Sequence, residues 1–250
     1  MRKIPAASTA TFAGVTTSLA VLAVAGALEF ARATGLHPAT VPPVLLGCFL
    51  YYFGNLLFLK LFLALFPLPR GVVAERTPAN YRHGVYMLFF LFFLAPVIFS
   101  RLIPAPFTSL WYRFLGARIG RQSFPSGSVL ADPHFITLGD EVTLGFNSVL
   151  TPHVMVGESL SHERIVIGDR VTVGVNTVVY GGVEIGDGAL VLANSAVVPG
   201  TRIGENEMWG GNPAQKIKTL KPGDRAWNGA PQTAPQAWNG EKKLEIARGV

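Results

Sequence analysis

From Ile167 to Ala214 the sequence repeats in sixes: IGDRVT, VGVNTV, VYGGVE, IGDGAL, VLANSA, VVPGTR, IGENEM, WGGNPA. That period limits the fold more than any other feature. The first positions are Ile167, Val173, Val179, Ile185, Val191, Val197, Ile203 and Trp209, all apolar and all but the last β-branched. Glycine follows at 168, 174, 186, 204 and 210, and the fifth positions are mostly small or β-branched. An upstream tract, LGDEVT–LGFNSV–LTPHVM, keeps the same phase at Leu138, Leu144 and Leu150. Six is neither the helical period nor the two-residue period of a simple strand. Short β-branched strands, each sending one side chain inward and broken by glycine turns, suit a coil with flat faces. Stacked coils bury a continuous file of Ile and Val.

The half before the repeat is of another kind. The chain has 250 residues, a mean hydropathy of +0.38 and only 14% charged residues, apolar for a soluble protein. Most of that apolarity precedes Phe107. Three stretches stand out, at about 9–28, 44–66 and 85–104. A helix needs about 20 apolar residues to cross ~30 Å of hydrocarbon, and the first two suffice. The third is short before Arg101 and contains Pro96, so a kinked, re-entrant or interfacial helix is the alternative to a third crossing. Asn55 and Lys60 interrupt the second stretch; an intramembrane Lys either serves a function or snorkels to an interface. The expected organisation is an α-helical membrane region over 1–107, an all-β repeat domain over 108–218 and a Pro/Gly/Ala-rich tail over 219–250, with AWNG repeated at Ala226 and Ala237. The lone Cys48 sits in an apolar run, which excludes a disulfide framework. The +6 charge comes without a nucleic-acid motif, and Arg70, Arg76 and Arg82 flank apolar runs, which suits lipid headgroups.

The hexads, the string LADPHFITLGD and the closing WGGNPAQKIK together resemble the hexapeptide-repeat acyltransferase family, its sugar O-acetyltransferase branch in particular, over roughly 115–218. Gln215 stands where that ending usually carries a basic residue. The resemblance implies a left-handed parallel β-helix with three hexads per turn, a homotrimer with grooves between subunits, and one catalytic His. It also implies an acetyl-CoA or other acyl-CoA co-substrate, with no metal and no permanently bound cofactor. A second resemblance, carried by membrane helices, LWYRFLGARIG and then hexads, is to the membrane-bound C-terminal region of poly-lysine-type nonribosomal peptide synthetases.

Acyl transfer to a hydroxyl or amine needs a base, oxyanion donors and a thioester held nearby. Neutral His is the natural base near pH 7. The candidates are His134, His153 and His162. His153 is the fourth residue of its hexad and points off the coil. The repeat then breaks, because Val156 to Ile167 is eleven residues, and something is inserted there. In the resembling family a His lies where the coil gives way to a loop reaching over a neighbouring subunit, and His153 fits that place. His162, beside Glu163 in the insertion, is its rival. Asp132 matches an acceptor-binding carboxylate or is a turn residue. Asp140, Asp169 and Asp187 recur after I-G or L-G as turn residues bonding local backbone. Asn194, Ser195 and Trp209 fall beside the expected pantetheine arm, and Lys216 and Lys218 either meet coenzyme A phosphates or form a solvated basic end.

The leading expectation is a membrane-anchored acyltransferase moving an acetyl or short acyl group from coenzyme A to a hydroxyl of a sugar or lipid-linked acceptor. The alternatives are carrier-protein-dependent acyl or aminoacyl transfer to an amine, and a non-catalytic trimeric scaffold. A zinc enzyme on the same fold is disfavoured, since His153 and His162 are nine apart. With three crossings, Arg2, Lys3, Arg70, Arg76 and Arg82 share one side, and Arg32, Arg101, Arg113, Arg118 and Arg121 the other. That is a tie by the positive-inside rule. Cytosolic thioesters therefore place the catalytic half in the cytoplasm, beside membrane lipid.

Overall fold

The computed structural model describes residues 3–100, 103–125 and 127–221. Arg2, Arg101 and both AWNG copies lie outside the described residues. One compact unit runs Met1–Thr219 and a second Leu220–Val250. Helices and repeat belong to the first unit and share one core, in which Phe89 and Tyr86 join Val173 and Ile203.

Helix α1 (Ala6–Thr34) ends on Gly35 at φ 68, a left-handed cap that closes the last turn onto Ala31 and Arg32. After the short 35–40 turn comes α2 (Val41–Leu65), with prolines in its first turn. A linker strand β1 (Gly71–Val73) leads to α3 (Pro78–Phe89), whose Thr77 cap accepts from the Asn80 N–H. A π-turn over Phe90–Leu94 and α4 (Ala95–Ser100) complete the third apolar segment. The kink expected at Pro96 takes the form of this π-turn just upstream, where the helix widens around the missing N–H. Helix α5 (Ala105–Phe114) enters the repeat.

All three apolar segments are long and apolar enough to cross a membrane. They differ in what surrounds them. Half of the third segment's window is buried in protein, against 6% and 22% for α1 and α2. The third segment also starts earlier than hydropathy alone predicts, at Pro78 rather than Val85. Its polar first turns are buried against protein, with Asn80 6% and His83 7% exposed. Uncovered side chains run along α1 and α2, such as Val21, Leu22, Val41, Leu45 and Phe49, while the third segment leaves only part of its surface open, at Leu91, Phe92 and Phe99.

The repeat folds into β2 (Arg118–Ile119), β3 (Val129–Leu130), β4 (Ile136–Leu138), β5 (Thr143–Leu144), β6 (Val149–Thr151), β7 (His153–Val156), β8 (Ser159–His162) and β9 (Ile165–Ile167). Then follow β10 (Thr172–Val173), β11 (Val178–Tyr180), β12 (Glu184–Ile185), β13 (Leu190–Val191), β14 (Ala196–Val197), β15 (Arg202–Ile203), β16 (Glu207–Gly211) and β17 (Ala214–Thr219). Except for β1, β7, β8 and the final β16–β17 pair, these strands form three parallel sheets. Val173 lies beside Val191, Val179 beside Val197, and Ile185 beside Ile203. Each step is three hexads, so the chain winds as a three-sided coil. The first positions from Leu138 to Ile203 are at most 3% exposed. Glycine after a first position can have a steric cause: a Cβ on Gly145 would sit 2.5 Å from the Val175 nitrogen on the next coil. Asp140, Asp169 and Asp187 do bond backbone, but across coils: Asp187 accepts from Asp169 N–H, Asp169 from Asp140 N–H, and Asp140 from Arg121 N–H.

The insertion is a β7–β8 hairpin. It pairs with β1 of its own chain, Gly71 opposite His162 and Val73 opposite Leu160, where the family likeness implied a loop reaching toward a neighbour. The same pairing brings Arg70 beside the start of β9, and Arg70 and Arg118 both lie within electrostatic range of Arg164.

Candidate active site

The coil's first turns create the site. Leu130 stacks on Leu150, so the residues just after each strand are neighbours: Asp132 on one coil and His153 on the next. Asp132 adopts a left-handed conformation, φ 47 and ψ 62, which Asp tolerates better than most residues. It leads into a tight 3₁₀ turn, Pro133–Phe135. His153 opens β7 directly after Pro152, and the Thr151 hydroxyl donates to its carbonyl. The Asp132 Oδ2 then lies 2.5 Å from His153 Nδ1.

Their exposures differ in a useful way. The Asp132 side chain is 3% exposed and that of His153 30%. Burial pushes the Asp132 carboxyl up, but the hydrogen bond and charge of His153, with His162 and His134 nearby, outweigh it and hold the pKa at about 2. The bond from Asp132 raises the His153 pKa, with burial opposing. With Nδ1 committed to the carboxylate, Nε2 is the nitrogen left to take up a proton.

The other histidines surround this pair. His162 is fully buried, stacked on Phe135 with centroids 5.3 Å apart and facing His153 at 6.3 Å. Glu163, the partner expected for it, is exposed. His134 packs against Tyr86 and Phe135; burial lowers its pKa to about 4, which keeps it neutral. Two members come from the apolar helix α3 and were not anticipated. His83 lies 5.0 Å from the His162 ring, and the Tyr86 hydroxyl is beside Asp132. Their only sequence signal is a His just before, and a Tyr just inside, the third apolar stretch. Among the described residues no three His, Cys, Asp or Glu side chains are arranged to hold a metal ion.

The residues expected at the donor sit apart from this cluster. Asn194 accepts from Asn176, which accepts from Asn147, a ladder along one corner of the coil. Ser195 is 2% exposed and donates to the Leu192 carbonyl. On the closing β16–β17 hairpin, Trp209 and Lys216 both bond Glu207. Those contacts, with the Gly204 N–H, hold the Glu207 pKa at about 2. Glu207 was not singled out by its sequence, because only the hairpin brings Lys216 back to it. Lys218 lies further along β17.

Residues 164–199 match the family model described as the hexapeptide repeat of succinyl-transferase. The sixfold period is therefore a hexapeptide repeat. Solved structures similar to this chain include a hexapeptide-repeat-containing acetyltransferase from Vibrio cholerae O1 biovar eltor complexed with acetyl coenzyme A. It is 31% identical over 42% of this chain and 61% of its own, with a TM-score of 0.40. A maltose O-acetyltransferase from Clostridium difficile 630 is 17% identical over 68% of this chain and 88% of its own, TM-score 0.37. An N-acyltransferase from Bacillus cereus is 14% identical over 46% and 91%, TM-score 0.34. The chain thus spans less than two thirds of the length of the first of these. No curated protein matches the chain.

Proposed function

We propose that this chain is a membrane-anchored acyltransferase that moves an acetyl or short acyl group from coenzyme A to a hydroxyl of a sugar or lipid-linked acceptor. The carrying observation is the Asp132–His153 pair on a hexapeptide-repeat coil, with a buried carboxylate and a partly open imidazole. Nε2 of His153 takes the proton of the acceptor hydroxyl as its oxygen attacks the thioester carbonyl. The tetrahedral adduct expels the thiolate, which recovers the proton from His153. Asp132 holds the imidazole in the tautomer that leaves Nε2 open and stabilises the charged ring. This role replaces acceptor binding for Asp132, since its carboxylate is buried on His153. His162 is the weaker base, because it exposes no surface to an acceptor. Lys216 and Lys218 keep the coenzyme A phosphates as point charges. The coil is left-handed, trimerises and faces the cytoplasm, where thioester donors are made.

The test is a donor and acceptor screen on the detergent-purified full chain, read as thiol release and as an acyl mass shift in membrane lipid extract. Acetyl-CoA with a lipid acceptor is the productive pair on this account. Transfer only from a carrier-protein thioester, or to an amine alone, would replace it with the second chemistry, and no thioester cleavage at all would leave a scaffold.

A further inference from the structure

A cavity of about 250 Å³ lies between α2, α3, α5 and the Pro133–Phe135 turn. Its wall on the membrane side is hydrocarbon: Leu56, Leu59 and Leu63 of α2, with Leu94 of the π-turn. Its lining carries two cations, Lys60 and Arg113, and no carboxylate. Lys60 stands one turn from the end of an otherwise apolar helix, its Nζ 4.3 Å from the Phe114 ring centroid. No carboxylate pairs with it among the described residues. A lysine in such a helix is costly and calls for a counter-charge; an aromatic face satisfies it only in part. Arg113 gives Nε and Nη2 to the carbonyls of Ile119 and Gly120, which fixes the guanidinium and leaves Nη1. His134 closes the far wall with both ring nitrogens buried and without a hydrogen bond.

Hydrocarbon on one side and a fixed cationic edge on the other describe a slot for an anionic amphiphile. We propose that this cavity binds a phosphate-bearing lipid, with its hydrocarbon along the leucines of α2 and its phosphate between Lys60 and Arg113. A planar guanidinium and an ammonium suit phosphate oxygens, and the buried imidazole supplies a further donor. The cavity wall at Pro133 and His134 directly follows Asp132, so a group carried on that phosphate is delivered toward the Asp132–His153 pair. That the lipid is the acceptor's anchor rests on the acyltransferase reading; that the cavity binds it does not.

The experiment is native mass spectrometry of the full chain in detergent, with no thioester present. Dioleoyl phosphatidic acid is compared with dioleoylglycerol, which has the same chains without the phosphate. The wild-type chain retains phosphatidic acid at least about tenfold better, a margin of one decade in affinity. Lys60→Gln removes the preference, Lys60→Arg restores it, and Leu59→Trp, which fills the slot and keeps the charges, blocks both lipids. Equal retention of the neutral lipid, an undiminished preference in Lys60→Gln, or displacement by glycerol 3-phosphate at matching concentration would overturn the site. A chain that shows this pattern but transfers no acyl group keeps the site and loses the enzyme reading. One that transfers acyl groups with no lipid preference loses the site alone.

Discussion

At the scale of single residues, one short hydrogen bond organises the account. Because Asp132 raises the His153 pKa, the imidazole sheds its proton at a higher pH than an ordinary histidine does. A general base works when neutral, so turnover should rise with pH through a point above ~6.5. Asp132→Asn removes that influence. The acid limb of the kcat/KM profile should move to lower pH, while turnover at the plateau falls by on the order of 10²–10⁴-fold through loss of tautomer and orientation. An unmoved acid limb would mean that Asp132 does not act through His153. His153 was legible in the sequence because it precedes a break in the hexads. Its pairing with Asp132 was not. Asp132 lies in LADPHF, before the period becomes regular, and only the stacking of Leu130 on Leu150 makes the two neighbours. Tyr86 was hidden because hydropathy assigns its stretch to lipid, and His83 because it precedes that stretch, in the polar first turns of α3 that lie against the coil.

At the scale of elements, the hexads map directly onto structure. Their first positions are the buried file, and glycines such as Gly145 and Gly174 mark where the next coil's backbone passes. Steric demand, not turn chemistry alone, therefore sets Gly174, where an added Cβ would collide with the backbone of Leu192 and Ala193. Gly14 in α1 has nothing within 4 Å of the same point. Gly174→Ala should lower the thermal midpoint of the purified protein, and Gly14→Ala should leave it unchanged or slightly raised, since Ala favours helix by about 1 kcal/mol over Gly. Equal midpoints for the two variants would contradict this packing. Ile167→Ala, which empties a fully buried position in the file, should cost about 2–5 kcal/mol. What the period did not disclose is the use made of its interruption. The β7–β8 hairpin is completed by β1, a three-residue strand in a linker that reads as a loop between two apolar runs.

For the whole molecule, the decisive fact is that both ends of the third apolar segment return to the coil. Its first turns lie against β8, and its last, at Val97 and Ile98, line a cavity with Val129 and Val149. We propose that α1 and α2 alone cross the membrane and that α3 and α4 lie between this hairpin and the coil. Helix α1 is about 43 Å long at ~1.5 Å per residue, more than the hydrocarbon requires. Lys3 and Pro5 line a cavity with Met155 of the inserted hairpin, so on this proposal the start of α1 is on the coil's side. The arginine tie then disappears. Arg70, Arg76, Arg82, Arg113, Arg118 and Arg121 join Lys3 on one side, and Arg32 near the 35–40 turn is alone on the other. On this proposal the positive-inside rule agrees with the donor argument, and the start of α1 and the coil share the cytoplasmic side. Reporters fused at either end should be active only inside, and an N-terminal reporter active outside would restore three crossings. The claim beneath all of this is that His153 is the base that activates the acceptor. The most direct measurement is acyl-thioester cleavage by the full chain with membrane lipid extract, comparing wild type with His153→Ala at equal elution profile. A fall of about 10²–10⁴-fold is the predicted result; near-normal turnover in His153→Ala, with loss in a folded His162→Ala, would contradict it.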